Sequence, residues 1–351
     1  VSGSGDGPLV HSHHLGRLIR GGDPVALGRP TNELVLEAME RGDRLDAERL
    51  LAYAIVEAER VYFIFTTWIG AMLDHGRQHV PDFAERLAAM EARIGEPPRL
   101  TSGDDVAVAE QRAAVVAVRA GDPTRARAVL DALREARRTV HDNQADWSWG
   151  LLTLFREALG EAPMGEVMRA TMEPWLRERY TALGTMTPRE LFELTIEGMR
   201  GHYVGPGRTG AVDVRDEPDR WVMEFDPCGT GGRMRRGDPA RGQAPRTDAP
   251  YDFSMVEEAY PWTWGRRGVC LYCAHCAVVN EILPIEQHGT PMRVTDYPEK
   301  PGDRCRWTIY KDPAFVPLEA FARVGKRPPG PPGRPTTAVS LDGRTTTEPP
   351  R

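Results

Sequence analysis

The stretch Ala52–Leu73, AYAIVEAERVYFIFTTWIGAML, is the most apolar in the chain, and its reading decides the rest. Glu57, Glu59 and Arg60 interrupt it, so no run reaches the roughly 18–20 apolar residues that span a bilayer. Its apolar side chains recur at three- and four-residue intervals, which gives a helix one buried stripe. A buried helix of a soluble assembly is expected, with no membrane partner.

Outward from that stretch the same periodicity runs from about Arg44 to Gly76. It resumes from His79 to Ile94 after the Val80-Pro81 step. A patch rich in Gly, Pro, Ser and Asp, GEPPRLTSGDD (95–105), then breaks the chain before a third helix near Val106. Further helices are expected from Pro123 to about His141, Trp147 to Leu159 and Met164 to about Arg179. Thr187-Pro188-Arg189-Glu190 is a capping signal: threonine supplies the cap oxygen, proline suits the first helical position, and Glu190 can reach back. Residues 30–200 therefore read as an antiparallel helical assembly.

After Arg200 the periodicity gives way to glycines, prolines and short β-prone pieces: GAVDVRD (210–216), RWVMEFDPCGTGG (220–232), GTPMRVTDY (289–297) and CRWTIY (305–310). The fold class expected is α+β, the helical assembly being followed by a cysteine-rich α+β domain over 201–325. Residues 1–29, with His11, His13 and His14 in a Gly/Ser-rich start, read as a flexible segment. From Lys326 to Arg351 the chain has too few large apolar residues to offset its ordering entropy and reads as a disordered tail.

The whole chain has 351 residues, and Lys+Arg 45 against Asp+Glu 51 leaves a net charge of −6. No global positive field is present to hold a nucleic-acid backbone. The first residues lack the basic-then-apolar order of a secretory signal, so a cytoplasmic location is expected.

All five cysteines, Cys228, Cys270, Cys273, Cys276 and Cys305, fall after residue 227. An odd number in a large chain argues against a disulfide framework. Within GVCLYCAHCAVVNEILPIEQHG (268–289) three of them stand at a spacing of three, with His275 between the last two. Three thiolates so spaced can converge on one ion, and a remote cysteine can complete the set. The metal ligands expected are Cys270, Cys273, Cys276 and Cys305, with zinc as cofactor and an iron–sulfur cluster as the alternative. Buried reduced thiols behaving as small hydrophobes are the reading without a metal.

Cys228 follows a strand in FDPCGTGGRMRR (225–236) and enters a turn containing Gly229, Gly231 and Gly232. Backbone N–H groups of such a turn can approach an anion without side-chain interference. Arg233 and Arg235 can hold a carboxylate and lower the pKa of a thiol. Cys228 is then either a nucleophile or a metal ligand. His275 and Glu286 are the acid/base candidates, and Trp262 and Trp264 can line an apolar pocket. In the helical region His75, His79, His141, Asp142 and Asp146 are spaced to allow a second site between helices. Gly76 and Pro81 put helical continuity there in question, so capping and exposed polar faces are the simpler reading.

The elements FDPCGTGG, GVCLYCAHC, ILPIEQHGTPMRV and GDRCRWTIYK, over about residues 195–315, resemble bacterial proteins grouped around L-2-amino-thiazoline-4-carboxylate hydrolase. They also resemble small cysteine-containing ligand-binding domains related to vinyl reductases. The hydrolase resemblance implies opening of a small C–N or C–S containing ring, or hydrolysis of an amidine-like bond.

The expected function is a metal-dependent hydrolase acting on a small anionic molecule containing nitrogen or sulfur. Cys228, His275 and Glu286 would be catalytic, and Gly229, Gly231, Gly232, Arg233 and Arg235 would contact substrate. Four cysteine ligands would close a zinc site to water, so catalysis needs one cysteine to be a nonligand or has to occur beside the metal. The alternatives are a ligand-sensing or interaction protein with a structural zinc knuckle, in which the helices pair as a homodimer, and an iron–sulfur redox protein.

Overall fold

Two helices of 36 and 37 residues, α3 (Arg44–His79) and α6 (Pro123–Leu159) in the order of the chain, carry the N-terminal half of the computed structural model. The structure describes residues 8–100, 105–203, 207–300 and 302–329. The stretch Ala52–Leu73 lies inside α3 and buries Val61, Phe65, Trp68, Ile69 and Met72, as its spacing requires. Gly76 does not end this helix. It lets the Phe83 ring approach the backbone, where a Cβ would collide with it.

The other long helix is continuous where the sequence reading placed a gap after His141. The polar run there, Asp142 to Asp146, is accommodated by tertiary partners. Arginines pair with Asp142 and Asp146, and Gln144 donates to the Arg99 carbonyl at 3.3 Å. Around these two pack α2 (Thr31–Glu40), α4 (Phe83–Ile94), α5 (Val108–Ala120), α7 (Met164–Leu183) and α8 (Pro188–Gly201). At the start of α8 the capping box is complete: Thr187 Oγ1 accepts from Glu190 N at 3.3 Å, and Glu190 Oε2 accepts from Thr187 N at 2.8 Å.

The first 29 residues were expected to be flexible, yet from Leu9 they form a hairpin, β1 (Leu9–Ser12) and β2 (Arg17–Arg20), followed by a short helix, α1 (Pro24–Leu27). Leu9 and Ile19 are buried, and Arg20 donates to the Arg29 carbonyl at 2.6 Å and to Thr31 Oγ1 at 3.1 Å. The tail expected to be disordered lies, from residue 330 onward, outside the described residues.

The mostly helical region is followed by a mixed α+β region. An antiparallel sheet has the order β3 (Asp213–Asp216), β4 (Arg220–Phe225), β8 (Cys305–Tyr310), β7 (Val294–Asp296). Its register sets Phe225 opposite Cys305, so the end of β4 and the start of β8 meet beside the glycine turn. After that turn come α9 (Gly231–Arg236) and a two-stranded ribbon, β5 (Met255–Val256) with β6 (Val269–Cys270). The chain from His275 to His288 is helical throughout, as α10 (His275–Ala277), a π-helical turn (Val278–Ile282) and α11 (Leu283–His288). A last helix, α12 (Leu318–Ala322), returns to the core.

One apolar cluster joins the two regions: Phe65, Trp68, Trp147 and Tyr180 of the helices share it with Cys270, Tyr272, Leu283 and Phe321. Among the described residues no helix is long and apolar enough to cross a membrane.

Candidate functional site

Where the end of α8, the glycine turn, the start of the 275–288 helix and the edges of β7 and β8 converge, they leave a cleft of two lobes. The first lobe, about 670 Å³ with its mouth included, is walled by Cys228, Cys273, Cys276 and Cys305 together with Phe225, Trp264, Tyr272 and Trp307. The second, about 820 Å³, lies against α7 and is walled by Trp175, Arg179, Tyr180, Val279, Asn280 and Arg293. Met199, His202, His275, Cys276 and Trp307 line both lobes and form the seam between them. The π-helical turn sits at this seam and carries Val279 and Asn280 into the second lobe.

The four thiols of the first lobe come from the glycine turn, the 273–276 turn and the start of β8, and all five cysteines are free. Cys228 Sγ lies 3.2 Å from Thr230 Oγ1. Cys270 is fully buried and does not line the cleft, its Sγ accepting from the Cys273 backbone N–H at 3.4 Å. The bond to the Cys270 thiol, and then burial, push the Cys273 thiol well above its ordinary pKa. Burial, followed by the neighbouring Cys305 and Cys228 thiols, does the same to Cys276, and burial followed by Cys228 raises Cys305. His275 Nδ1 donates to the Tyr272 carbonyl at 2.5 Å and its Nε2 lies 3.7 Å from Cys276 Sγ. Burial pushes this imidazole down to about 4. At neutral pH the pair is thus a thiol beside a neutral ring, not a thiolate beside an imidazolium.

Among the described residues no group of three or more His, Cys, Asp or Glu side chains is placed to hold a metal ion. This overturns the expectation that Cys270, Cys273, Cys276 and Cys305 bind zinc or an iron–sulfur cluster. Cys270 lies off the lobe with its thiol engaged by Cys273, and the other three thiols line the lobe without forming such a group. The metal-dependent hydrolase, the zinc-knuckle sensor and the iron–sulfur redox protein fall with it.

Glu286, an expected acid/base group, lies on α11 away from both lobes. It is bound by Arg169 at 2.7 and 2.8 Å and by Lys326, and these cations hold its carboxyl low against the cost of burial. The glycines of the turn serve close packing. A Cβ on Gly229 would strike the His202 carbonyl, one on Gly231 would strike Cys273 Sγ, and one on Gly232 would lie 3.2 Å from Cys228 Cβ. Arg233 faces away from the cleft and is 1% exposed. It donates to Asp146 at 2.6 Å within a buried network of Arg208, Arg233 and Arg246 with Asp142, Asp146 and Asp238.

Arg235 lines the first lobe. The residue is 7% exposed, and its guanidinium lies over the Tyr297 ring at 4.9 Å and makes no ion pair with a carboxylate among the described residues. Trp264 joins the lobe as expected of an apolar wall, whereas Trp262 stacks on Tyr260 outside it.

No family model, curated protein or solved structure matches this chain. The likeness to the thiazoline hydrolase group therefore rests on the quoted motifs alone.

The second helical site does not assemble. His75 and His79 touch each other with tilted rings, 4.4 Å between centroids, whereas His141, Asp142 and Asp146 lie in the buried arginine network. His141 Nδ1 bonds Asp142 Oδ1 at 2.9 Å and its Nε2 meets His202 Nδ1 at 3.2 Å. Sequence reading missed His202, Arg179 and Arg293. His202 sits alone in GHYV at the end of a helix, and Arg293 in the bend just before β7, with no motif around either. Arg293 lies over the Trp307 ring at 5.0 Å, and burial with the nearby charge of Arg179 pushes its pKa down to about 10.

Proposed function

We propose that the cleft is a binding site for a small organic acid with a flat apolar body. The observation that carries this reading is Arg235, a buried residue on the wall of the first lobe with no carboxylate ion pair among the described residues, whereas Arg236 on the same wall pairs with Asp226 and Asp303 makes no ion pair with Arg235. Removing a guanidinium from water without a counter-ion costs several kcal/mol, and a ligand carboxylate is the natural compensation. The aromatic rings of Phe225, Trp264, Tyr272 and Trp307 suit an apolar body beside that charge. Arg179 and Arg293 in the second lobe, likewise without a carboxylate partner among the described residues, favour ligands with a second acidic group. Protonated Cys273, Cys276 and Cys305 and a neutral His275 make the lobe a receptor more readily than a source of activated nucleophile.

The test is calorimetric titration with benzoate and phenylacetate, each compared with its neutral amide, on the full chain and on Arg235→Gln. Carboxylates are expected to bind and the amides to bind weakly. The variant should lose about tenfold in carboxylate affinity, the scale of one charge-assisted hydrogen bond. Equal affinities in the two proteins reject the reading.

A further inference from the structure

Asp142, His141 and His202 form a hydrogen-bonded chain from the buried arginine network to the seam of the cleft. Asp142 is gripped by Arg208 at 2.7 and 2.6 Å, and His141 is fully buried. His202 lines both lobes, and its Nε2 makes no hydrogen bond with any described residue.

The direction of each bond follows from the chemistry of its ends. Burial alone would raise the Asp142 carboxyl, but Arg233, the His141 ring and Arg208 hold it well below the usual range, so it is an ionised acceptor. His141 Nδ1 must then carry the proton it donates. Burial keeps His141 neutral against the pull of Asp142, with the charges of Arg208 and Arg233 opposing a second proton. His141 Nε2 is therefore a bare acceptor, and the proton between the rings belongs to His202 Nδ1. Burial, then the neighbouring His141, His275 and Arg293, keep His202 neutral as well. A neutral ring protonated at Nδ1 has a bare Nε2.

We infer that the Asp142–His141–His202 chain fixes His202 with an unprotonated Nε2 at the seam of the cleft, where it accepts a hydrogen bond from the ligand. The ligand class is thereby narrowed to organic acids that also bear an O–H or N–H donor. That narrowing rests on the anion site at Arg235, whereas the state of the ring does not. His141 is the positioning residue and His202 the contact. The arrangement parallels histidines elsewhere whose tautomer is set by the partner of the other ring nitrogen.

The test has two readouts. Long-range proton–nitrogen correlation on the ligand-free, histidine-labelled full chain at neutral pH reports which nitrogen of His202 is protonated, with His202→Phe identifying the signal. The Nδ1–H tautomer is expected, although free imidazole side chains favour the other. An Nε2–H ring or an imidazolium in the native chain overturns the inference, the variant serving only to identify the signal. The second readout compares 4-hydroxybenzoate with 4-methoxybenzoate. The hydroxy acid is expected to bind about tenfold more tightly to the native chain, and that ratio should collapse in His202→Phe. An unchanged ratio overturns the donor requirement. If the tautomer is as expected and Arg235→Gln leaves benzoate affinity intact, the histidine chain stands and the anion site falls.

Discussion

The guanidinium of Arg233, on α9, donates to the carboxylate of Asp146, on α6, at 2.6 Å and with both groups nearly inaccessible to water. This contact ties the glycine turn of the cysteine-bearing region to the longest helix. Its partners Arg208, Arg246 and Asp142 complete a buried network that leaves no free charge on Arg233 for a ligand.

Arg233→Ala should consequently destabilise the fold, by on the order of 3–5 kcal/mol, because it strands Asp146 without its strongest partner. Urea unfolding of the variant measures this. A midpoint close to that of the native protein would show the network to be dispensable.

Gly231→Ala places a methyl group where Cys273 Sγ lies, at the wall of the first lobe. A loss of about 1–3 kcal/mol is expected from overpacking, together with weaker binding of carboxylates in the same lobe. Gly302→Ala, at a glycine with open space around it, is the control and should change neither quantity.

The lowered histidines predict acid sensitivity. His275 is held at about 4, and burial lowers His141 and His202 too. Below about 6.5 the unfolded chain takes up protons that the folded chain refuses, so stability is full above that pH and falls as the pH drops toward 4. Replacing His275 with Phe should flatten the fall over that window. Denaturant titrations at half-unit pH steps decide it, an unchanged slope counting against a neutral buried His275.

The raised thiols predict the opposite limb. Cys273, Cys276 and Cys305 remain protonated in the fold after unfolded thiols, near 8.5, have begun to ionise. Stability from these groups is complete below about 8.5 and declines as the pH rises beyond it. In the folded protein at pH 7 these three should also react slowly with iodoacetamide, and at ordinary thiol rates in denaturant. Mass mapping of the alkylated cysteines would expose any that is already a thiolate.

The sequence by itself determined several of the helices and where the fold changes character. Apolar periodicity marked α3, the Thr187 to Glu190 box marked the start of α8, and the loss of periodicity after Arg200 marked the α+β region. Such signals are local, written in neighbours three and four residues apart. It also placed all the cysteines in one region, and it singled out Arg235 and Trp264, which the fold brings to the same lobe.

Only the tertiary structure decided what those residues face. The spacing of Cys270, Cys273 and Cys276 looks like a ligand set, but in the fold Cys270 lies off the lobe with its thiol engaged by Cys273, and the other two line the lobe. Arg233 and Arg235 are two apart on one short helix, yet one meets Asp146 and the other a cleft, a difference settled by Asp146, 87 positions earlier, and by residues such as Tyr297 far along the chain. His202 gained its meaning from His141, 61 residues earlier in the chain. Pairings across such separations leave no periodic trace, because they arise from how helices and sheet pack together and not from the local pattern of either.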